Sequence, residues 1–206
     1  MSASPSANGS TGATAALARF CDATGIPVAV TQAGKGAILD AHRCCLGAVG
    51  VTGTAAANAI AIDADVVINL GTRLSDFTTA SKTQFQNPRV RFAAVNLHPA
   101  DARKHGAIPL VGDARAVLGQ LTRALAGWRV PASHRTAVAR HRAAWDTTRA
   151  GLVAPKRGVP LTQAQVIEAL NRDCGAEGTV IHASGGIPGD IHKLWRSHAA
   201  NDYHSE

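Results

Sequence analysis

The sequence is poor in aromatic residues, which make up 4% of the chain, although apolar residues make up 46%. A core must therefore consist mainly of Ala, Val, Leu and Ile, and the 20 glycines favour close backbone packing in a helix-and-sheet fold. No apolar run reaches the length of about 18 residues that a membrane-spanning helix needs. The N-terminus lacks the basic and then apolar pattern of a signal peptide. We therefore expect a cytoplasmic protein whose residues 1–12 form a disordered tail.

Several motifs of catalysis and metal binding are absent. The chain contains neither Gly-x-Ser-x-Gly nor the Gly-x-Gly-x-x-Gly dinucleotide fingerprint. None of the four cysteines forms a Cys-x-x-Cys pair, which argues against a zinc site. They are Cys21, Cys44, Cys45 and Cys174. We predict that they are free, buried thiols in a reducing compartment.

The net charge of +7 is concentrated in one central block. Residues 82–157 hold 14 basic and 3 acidic side chains, whereas residues 1–81 hold 4 basic and 5 acidic ones. A nucleic-acid-binding surface needs such a patch, but no aromatic or Gly-rich RNA-binding pattern accompanies it. The block is therefore interpreted as a solvated or interdomain face, and no nucleic acid or membrane partner is expected.

Hydrophobic periodicity predicts strands that alternate with helices, which is typical of a doubly wound parallel sheet in the α/β class. The predicted strands are 26–31, 65–70, 91–97, 108–111 and 179–183. The predicted helices are 13–23, one that runs from a cap at Thr52 or Thr54 to about 62, 100–105, 114–125 with Asp113 as its cap, 133–152, one that opens with a capping box at Thr162 and runs to 171, and a short one through Trp195. We predict a central Rossmann-like domain over 13–127, a basic linker helix within 128–158 and the incomplete start of a second α/β unit over 159–206.

A glycine-rich loop, Gly47-x-x-Gly50-x-x-Gly53, precedes the second predicted helix. It allows two interpretations: tight turns with close helix–sheet packing, or a helix N-terminus whose free N–H groups face an anion or a polar substrate. The second interpretation makes Gly53 and Thr54 substrate-facing. Lys35 lies between two glycines after a strand, where it is either solvated or meets a phosphate or carboxylate.

Arg73 and Asp76 follow the most apolar predicted strand, 65–70. Ligands of open α/β sheets sit at the carboxyl ends of strands, so these side chains are candidates for substrate contact. The alternative is that they pair with each other. A second glycine-bearing loop lies between His182 and His192, where it either cradles a diphosphate or forms a tight turn between a strand and a helix.

Longer stretches resemble the central domain of thiamine diphosphate enzymes, and most closely the trihydroxycyclohexanedione hydrolases of inositol breakdown. The similarity lies in Ile26–Gly36, in Gly47–Pro88 with its segment Ser75–Ser81, and in Pro188–Trp195. Pro188–Trp195 is similar to the opening of the family's cofactor-binding domain.

The resemblance implies hydrolytic cleavage of a carbon–carbon bond in a cyclic dione, with thiamine diphosphate and Mg²⁺ as cofactors. Six residues would face the cofactor: Gly185, Gly186, Ile187, Pro188, Asp190 and His192. Lys35, Gly53, Thr54, Arg73 and Asp76 would face the substrate.

The family's pyrimidine-binding domain, with its activating glutamate, and its metal-holding Gly-Asp-Gly segment have no counterpart in the sequence. We therefore expect no catalytic or metal-binding residue in this chain and no activity from it alone. A complementing chain or a homo-oligomer would be its partner. The alternatives are a non-catalytic nucleotide- or FAD-binding or interaction module, and an inactive split-gene product.

Overall fold

The fold was analysed in a computed structural model, which describes residues 2–3, 10–155, 157–174, 177–200 and 202–205. Six strands of the described chain form one parallel sheet in the order β3-β2-β1-β4-β5-β6. They are β1 (Ser2–Ala3), β2 (Val28–Val30), β3 (Cys45–Ala48), β4 (Val66–Leu70), β5 (Arg91–Asn96) and β6 (Ile108–Val111). The strand order reverses between β1 and β4, which is the place where doubly wound sheets open a ligand crevice.

Helices cover both faces of this sheet, as expected for a doubly wound fold. Its helices are α1 (Ser10–Thr24), α2 (Ala55–Ile62), α3 (Asp76–Thr79), α4 (Pro99–Ala102), α5 (Ala114–Ala124) and α6 (Ala132–Val153). On one face, Phe20 of α1 and Leu118 of α5 pack with Val28 and Val30 of β2. Ala29, which points the other way, packs with residues of α2 and α6. This alternation confirms the predicted α/β architecture.

Local capping determines where several helices begin. Thr54 accepts a hydrogen bond from the Ala57 N–H, and Asp113 accepts one from the Ala116 N–H. Asp113 is the predicted N-cap, and Thr54 is the one of the two candidates, Thr52 and Thr54, that caps α2. Helix α7 (Gln163–Cys174) begins with a reciprocal capping box. The Thr162 hydroxyl accepts from Gln165 N–H, and the Gln165 side chain accepts from Thr162 N–H.

The described part of the N-terminal segment differs from the predicted disordered tail of residues 1–12, of which residues 1 and 4–9 lie outside the described residues. Ser2 and Ala3 pair with β2 on one side and β4 on the other, and α1 begins at Ser10. This central strand has only two residues and no apolar run, because backbone hydrogen bonds to both neighbours hold it. A hydrophobic pattern in the sequence therefore cannot identify it. Strand β3 was also missed, because Cys45–Ala48 is short and contains Gly47.

Helix α6, within the predicted linker, lies across the central domain. Val138 is buried and Trp145 is partly buried against α2, whereas Leu152 is exposed. Arg149, on the same helix, is buried and forms an ion pair with Glu168 of α7. The central part of α6 therefore packs on α2 and its end contacts the second unit.

In the described residues, the second unit contains α7, β7 (Val180–His182), α8 (Gly186–Leu194) and β8 (Tyr203–Ser205). Its two strands are parallel, and a small apolar cluster of Ile167, Ile191, Leu194, Trp195 and Tyr203 joins its elements. No helix in the described ranges has the length and apolar character to cross a bilayer.

All four cysteines are free, but only three are buried. Burial raises the pKa of Cys45 to about 12, and it also raises the pKa of Cys21 and of Cys44. These thiols are therefore protonated and unreactive at neutral pH. Cys174 is exposed at the end of α7, contrary to the prediction that it is buried.

Candidate functional site

The loops that follow β2 and β3 meet the second unit at helix α8. Gln32 comes two residues after β2, and its Nε2 atom donates to the Tyr203 hydroxyl at 2.9 Å and faces the Pro188 carbonyl oxygen at 3.5 Å. On the β3 side, Thr52 Oγ1 lies 2.8 Å from Nδ1 of His192. The carboxyl edge of the central sheet is thus joined to the helix that was predicted to face the cofactor.

The Gly47–Gly53 loop is built from close backbone contacts. Gly50 has a φ of +102°, and a Cβ atom there would lie 2.3 Å from the carbonyl oxygen of Phe77. The amide of Asn58 bonds the backbone of Gly50 twice, donating to its carbonyl and accepting from its N–H, each at 3.0 Å. A Cβ on Gly53 would lie 2.5 Å from Asn58 Oδ1. These contacts support the packing interpretation of the three glycines.

Thr54 does not present its hydroxyl to a substrate in this structure. The residue is buried, and its Oγ1 atom donates to the Leu46 carbonyl at 2.7 Å while accepting from Ala57 N–H at 3.0 Å. Both bonds serve the start of α2 and its attachment to β3. Gly53, beside it, is partly exposed.

Lys35 is buried, so the first of its two alternatives, a solvated lysine, is wrong. Its ammonium group lies 3.0 Å from Asp40 Oδ2 and 3.2 Å from Asp40 Oδ1. The same carboxylate accepts a 2.7 Å hydrogen bond from the backbone N–H of Ser197. Lys35 therefore meets a carboxylate of its own chain, and the pair fastens the segment after α8 to the central domain.

Arg73 and Asp76 are both exposed, and neither forms an ion pair with any described residue. The charge of Arg73 instead acts on Asp101. The pKa of Asp101 is held below its usual range first by the hydrogen bond from Lys104, whose Nζ lies 2.9 Å away, with smaller effects from surrounding cations that include Arg73. Arg73 thus remains available to a ligand at the carboxyl end of β4.

The first turn of α8 is open to solvent. Gly185 precedes it with a φ of +151°, and a Cβ atom on Gly186 would meet nothing within 4 Å. Gly186 and Ile187 are exposed, and their N–H groups belong to the first turn, where no intrahelical acceptor exists. Pro188 is tolerated there because its missing N–H would have had no partner. This turn fits the diphosphate end of a cofactor.

His192 does not belong to that anion-facing turn, contrary to the prediction. It is completely buried and contacts Thr52 on the other side of the helix. Burial, with a smaller effect of the Lys35 charge, lowers the pKa of His192 to about 3, and hydrogen bonding of the ring to the backbone of Thr31 opposes this shift. The ring is therefore neutral at physiological pH. Asp190 is partly buried in the middle of α8.

The ligand set for a magnesium ion is not present in the part of the chain that the structure describes. No group of three or more His, Cys, Asp and Glu side chains is arranged there to hold a metal. The described residues consequently fit the diphosphate of thiamine diphosphate but not the ion that would bridge it to the protein.

Sequence reasoning missed the polar residues that connect the two units. Gln32, Asp40, Thr52 and Tyr203 all make contacts across this boundary. Gln32 could have been noticed, because it comes just after a buried strand at the ligand edge of the sheet. Asp40 and Tyr203 carry no comparable sequence signal, because their partners lie 157 and 171 residues away.

Comparisons with known proteins agree with this geometry. Residues 7–121 match the model of the thiamine pyrophosphate enzyme central domain. The chain is 35% identical over 214 aligned residues to a 3D-(3,5/4)-trihydroxycyclohexane-1,2-dione hydrolase of Clostridium perfringens, covering 93% of this chain and 34% of that protein. It is 36% identical to 3D-(3,5/4)-trihydroxycyclohexane-1,2-dione hydrolase 2 of Bacillus cereus, covering 92% of this chain and 33% of the relative. The chain thus spans about a third of the length of these curated relatives.

Proposed function

Because the chain belongs to the thiamine pyrophosphate enzymes through their central domain, we propose that it acts as part of a thiamine diphosphate-dependent hydrolase that cleaves a carbon–carbon bond in a cyclic dione. The observation that carries this proposal is the identity of 35% over 93% of the chain to relatives with that activity in their names. The open first turn of α8, beside the loops after β2 and β3, supports the same function. When bound, thiamine diphosphate supplies carbanion stabilisation.

The chain's own contribution is to hold the cofactor's anionic end and to fix its position relative to the central domain. The N–H groups of Gly186 and Ile187 would donate to diphosphate oxygens, helped by the positive end of the α8 dipole. Gly185 allows the backbone to approach the ligand closely. The Gln32–Pro188 and Thr52–His192 bonds hold α8 in place against the central sheet, and the Gln32–Tyr203 bond attaches β8 beside it.

Arg73 is the strongest candidate for substrate contact in the central domain. It lies at the carboxyl end of β4, next to the point where the strand order reverses, and it is exposed without an ion-pair partner among the described residues. A guanidinium group there would offer two parallel donors to the oxygens of a polyol-derived dione. Asp76, three residues later and also exposed, would accept from a substrate hydroxyl.

Catalysis also requires groups that the described residues do not supply, above all the ligands of Mg²⁺. We propose that a further polypeptide, in a complementing chain or in a longer form of this protein, provides them. The isolated chain is then inactive and binds thiamine diphosphate weakly, through the first turn of α8 alone.

A nucleotide-binding module is the second candidate function. The strand order β3-β2-β1-β4-β5-β6 is the order found in dinucleotide-binding domains, and the crevice between β1 and β4 is where such ligands lie. This alternative predicts a flavin absorbance band in the purified chain, or saturable FAD binding that Arg73→Gln weakens. The hydrolase proposal predicts neither.

Calorimetric titration tests how much of the cofactor site this chain provides. Thiamine diphosphate is titrated into the isolated chain with and without Mg²⁺, and into a chimera in which the chain replaces the matching third of the Clostridium relative. We expect binding weaker than about 1 mM to the isolated chain, no gain from Mg²⁺, and micromolar binding to the chimera. Micromolar, Mg²⁺-dependent binding to the isolated chain would show that the chain itself holds a complete cofactor site, which would contradict the proposal that a further polypeptide supplies the Mg²⁺ ligands. A folded chimera without affinity would count against the hydrolase assignment.

A further inference from the structure

A cavity of about 390 Å³ lies away from the first turn of α8, between helix α6, the segment 193–198 and the start of β3. Its volume is in the range of small-molecule sites. The residues relevant to its chemistry are Arg142, Trp145, Arg149, Trp195, Arg196 and Ser197. Gly47 and Thr54 of the glycine-rich loop also line it, whereas none of residues 185–188 at the first turn of α8 does.

Positive charge is in excess around the cavity. Four basic side chains, Arg142, Arg149, Lys193 and Arg196, line it together with the two carboxylates Asp40 and Asp146. Asp40 is already bonded to Lys35 and to the N–H of Ser197. Its negative charge is therefore largely compensated from outside the cavity, which leaves the basic side chains in excess.

Arg149 and Arg196 bring like charges to the same cavity. The Arg149 side chain is 9% exposed, and its partner Glu168 does not line the cavity. Burial lowers the pKa of Arg149, and the charge of Arg196 lowers it further. An anion bound between the two guanidinium groups would offset this repulsion. Together with Glu168 it would give the two cations two negative charges.

Unpartnered hydrogen-bonding groups collect at the same place. Arg149 Nε, Trp195 Nε1 and Ser197 Oγ are buried and have no hydrogen-bond partner among the described residues. Each belongs to a residue that lines the cavity, and each can donate. The three atoms themselves have almost no surface open to the cavity. Buried donors without acceptors are costly, so a side-chain rotation that brings one of them to an acceptor bound in the cavity would be favourable.

We propose that this cavity binds a small organic anion, with a phosphate or carboxylate group held by Arg149 and Arg196 and an apolar or aromatic body against Trp145 and Trp195. Guanidinium groups bind such oxygens through paired donors, and indole rings provide flat apolar surface. The site is independent of thiamine diphosphate chemistry. It lies where the linker helix meets the second unit, so an occupied cavity would also hold the two units together.

Calorimetry with the isolated full chain tests the proposal with three probes: AMP, which has an anionic group and a ring; ribose 5-phosphate, which lacks the ring; and adenosine, which lacks the phosphate. We expect saturable binding of AMP. Adenosine should bind about tenfold more weakly than AMP or worse, because it lacks the phosphate and so loses a charge-assisted hydrogen bond. Ribose 5-phosphate should bind with intermediate affinity. No saturable binding of either phosphate up to about 10 mM would overturn the proposal.

Two variants locate the bound anion. Arg196 is exposed, so Arg196→Gln should fold normally and weaken AMP binding about tenfold or more. Arg172→Gln is the matched control, because Arg172 lies on the surface beside Asp173 and outside the cavity, and it should leave binding unchanged. If Arg73→Gln abolishes binding while Arg196→Gln does not, the ligand lies at the β4 edge and the proposal is wrong.

Discussion

The side chains of Thr52 and His192 lie 2.8 Å apart, Oγ1 to Nδ1, and join the loop after β3 to the last turn of helix α8. A methyl-sized group on Gly189, one turn earlier, would lie 2.8 Å from Thr52 Cγ2. The close fit shows that α8 is fastened to the central domain by polar and steric contacts on one side. Its first turn remains open on the other.

The buried His192 makes stability depend on pH. Its pKa in the folded protein is about 3 against an ordinary value of 6.5, so the unfolded chain takes up a proton that the folded chain does not. Stability is therefore full above pH 6.5 and falls by about 1.4 kcal/mol per pH unit below it, until the pH approaches the folded-state pKa. Urea unfolding at pH 7.5, 6.5, 5.5 and 4.5 measures this slope.

The variant His192→Asn isolates that contribution, because it should unfold with a smaller dependence on pH over the same range. The exposed His98 provides the matched control, and His98→Asn should keep the original slope. Equal slopes in the natural protein and in His192→Asn would show that His192 does not titrate as described.

Asp40 should contribute strongly to stability. Asp40→Ala leaves the buried ammonium of Lys35 without its counter-ion and removes the acceptor of Ser197 N–H. Breaking such a pair from one side costs about 3 kcal/mol. The exposed pair Arg43–Asp22 is the control, and Arg43→Ala should cost less than about 1 kcal/mol in the same denaturant measurement. A loss below 1 kcal/mol for Asp40→Ala would contradict the fastening role.

Much of the framework could be predicted from the sequence, because it depends on local patterns. The β4, β5 and β6 strands follow apolar runs, and the caps at Thr54, Asp113 and Thr162 follow short-range chemistry. β1 and β3 could not be recognised, because the first has two residues held by backbone pairing and the second is a four-residue segment containing a glycine.

The candidate site was only partly predictable, for a related reason. Gly186, Ile187 and Arg73 are exposed at a helix start and at a strand end, where local sequence patterns put them. The burial of Lys35 and His192 arises from partners that are distant in sequence or from packing between the units. A single sequence carries no information on which polar residue will be covered by another element.

Gly50 should not tolerate a side chain. Gly50→Ala would force a Cβ atom to 2.3 Å from the Phe77 carbonyl oxygen in a backbone conformation with φ of +102°. We expect a loss of at least about 2 kcal/mol in unfolding free energy. Gly151 lies in α6, where an added Cβ would meet no atom within 4 Å, so Gly151→Ala should instead stabilise by about 0.5–1 kcal/mol. Similar stabilities for the two variants would refute the close contact at Gly50.

Arg73→Ala should leave stability nearly unchanged, within about 0.5 kcal/mol, because Arg73 forms no ion pair in the described structure. In the chimera with the Clostridium relative, the same variant should lower turnover of the dione about tenfold or more. Arg89→Ala, at another exposed arginine, is the control for both measurements. A variant that melts several degrees lower while keeping full turnover would assign Arg73 a structural role.

The most direct test of the account is the rate at which that chimera hydrolyses 3D-(3,5/4)-trihydroxycyclohexane-1,2-dione, followed with thiamine diphosphate and Mg²⁺ present. If this chain is a working part of such a hydrolase, the chimera turns over the dione within about tenfold of the intact relative, and the isolated chain shows no turnover. A chimera that folds and binds thiamine diphosphate but does not cleave the dione would contradict the proposed function.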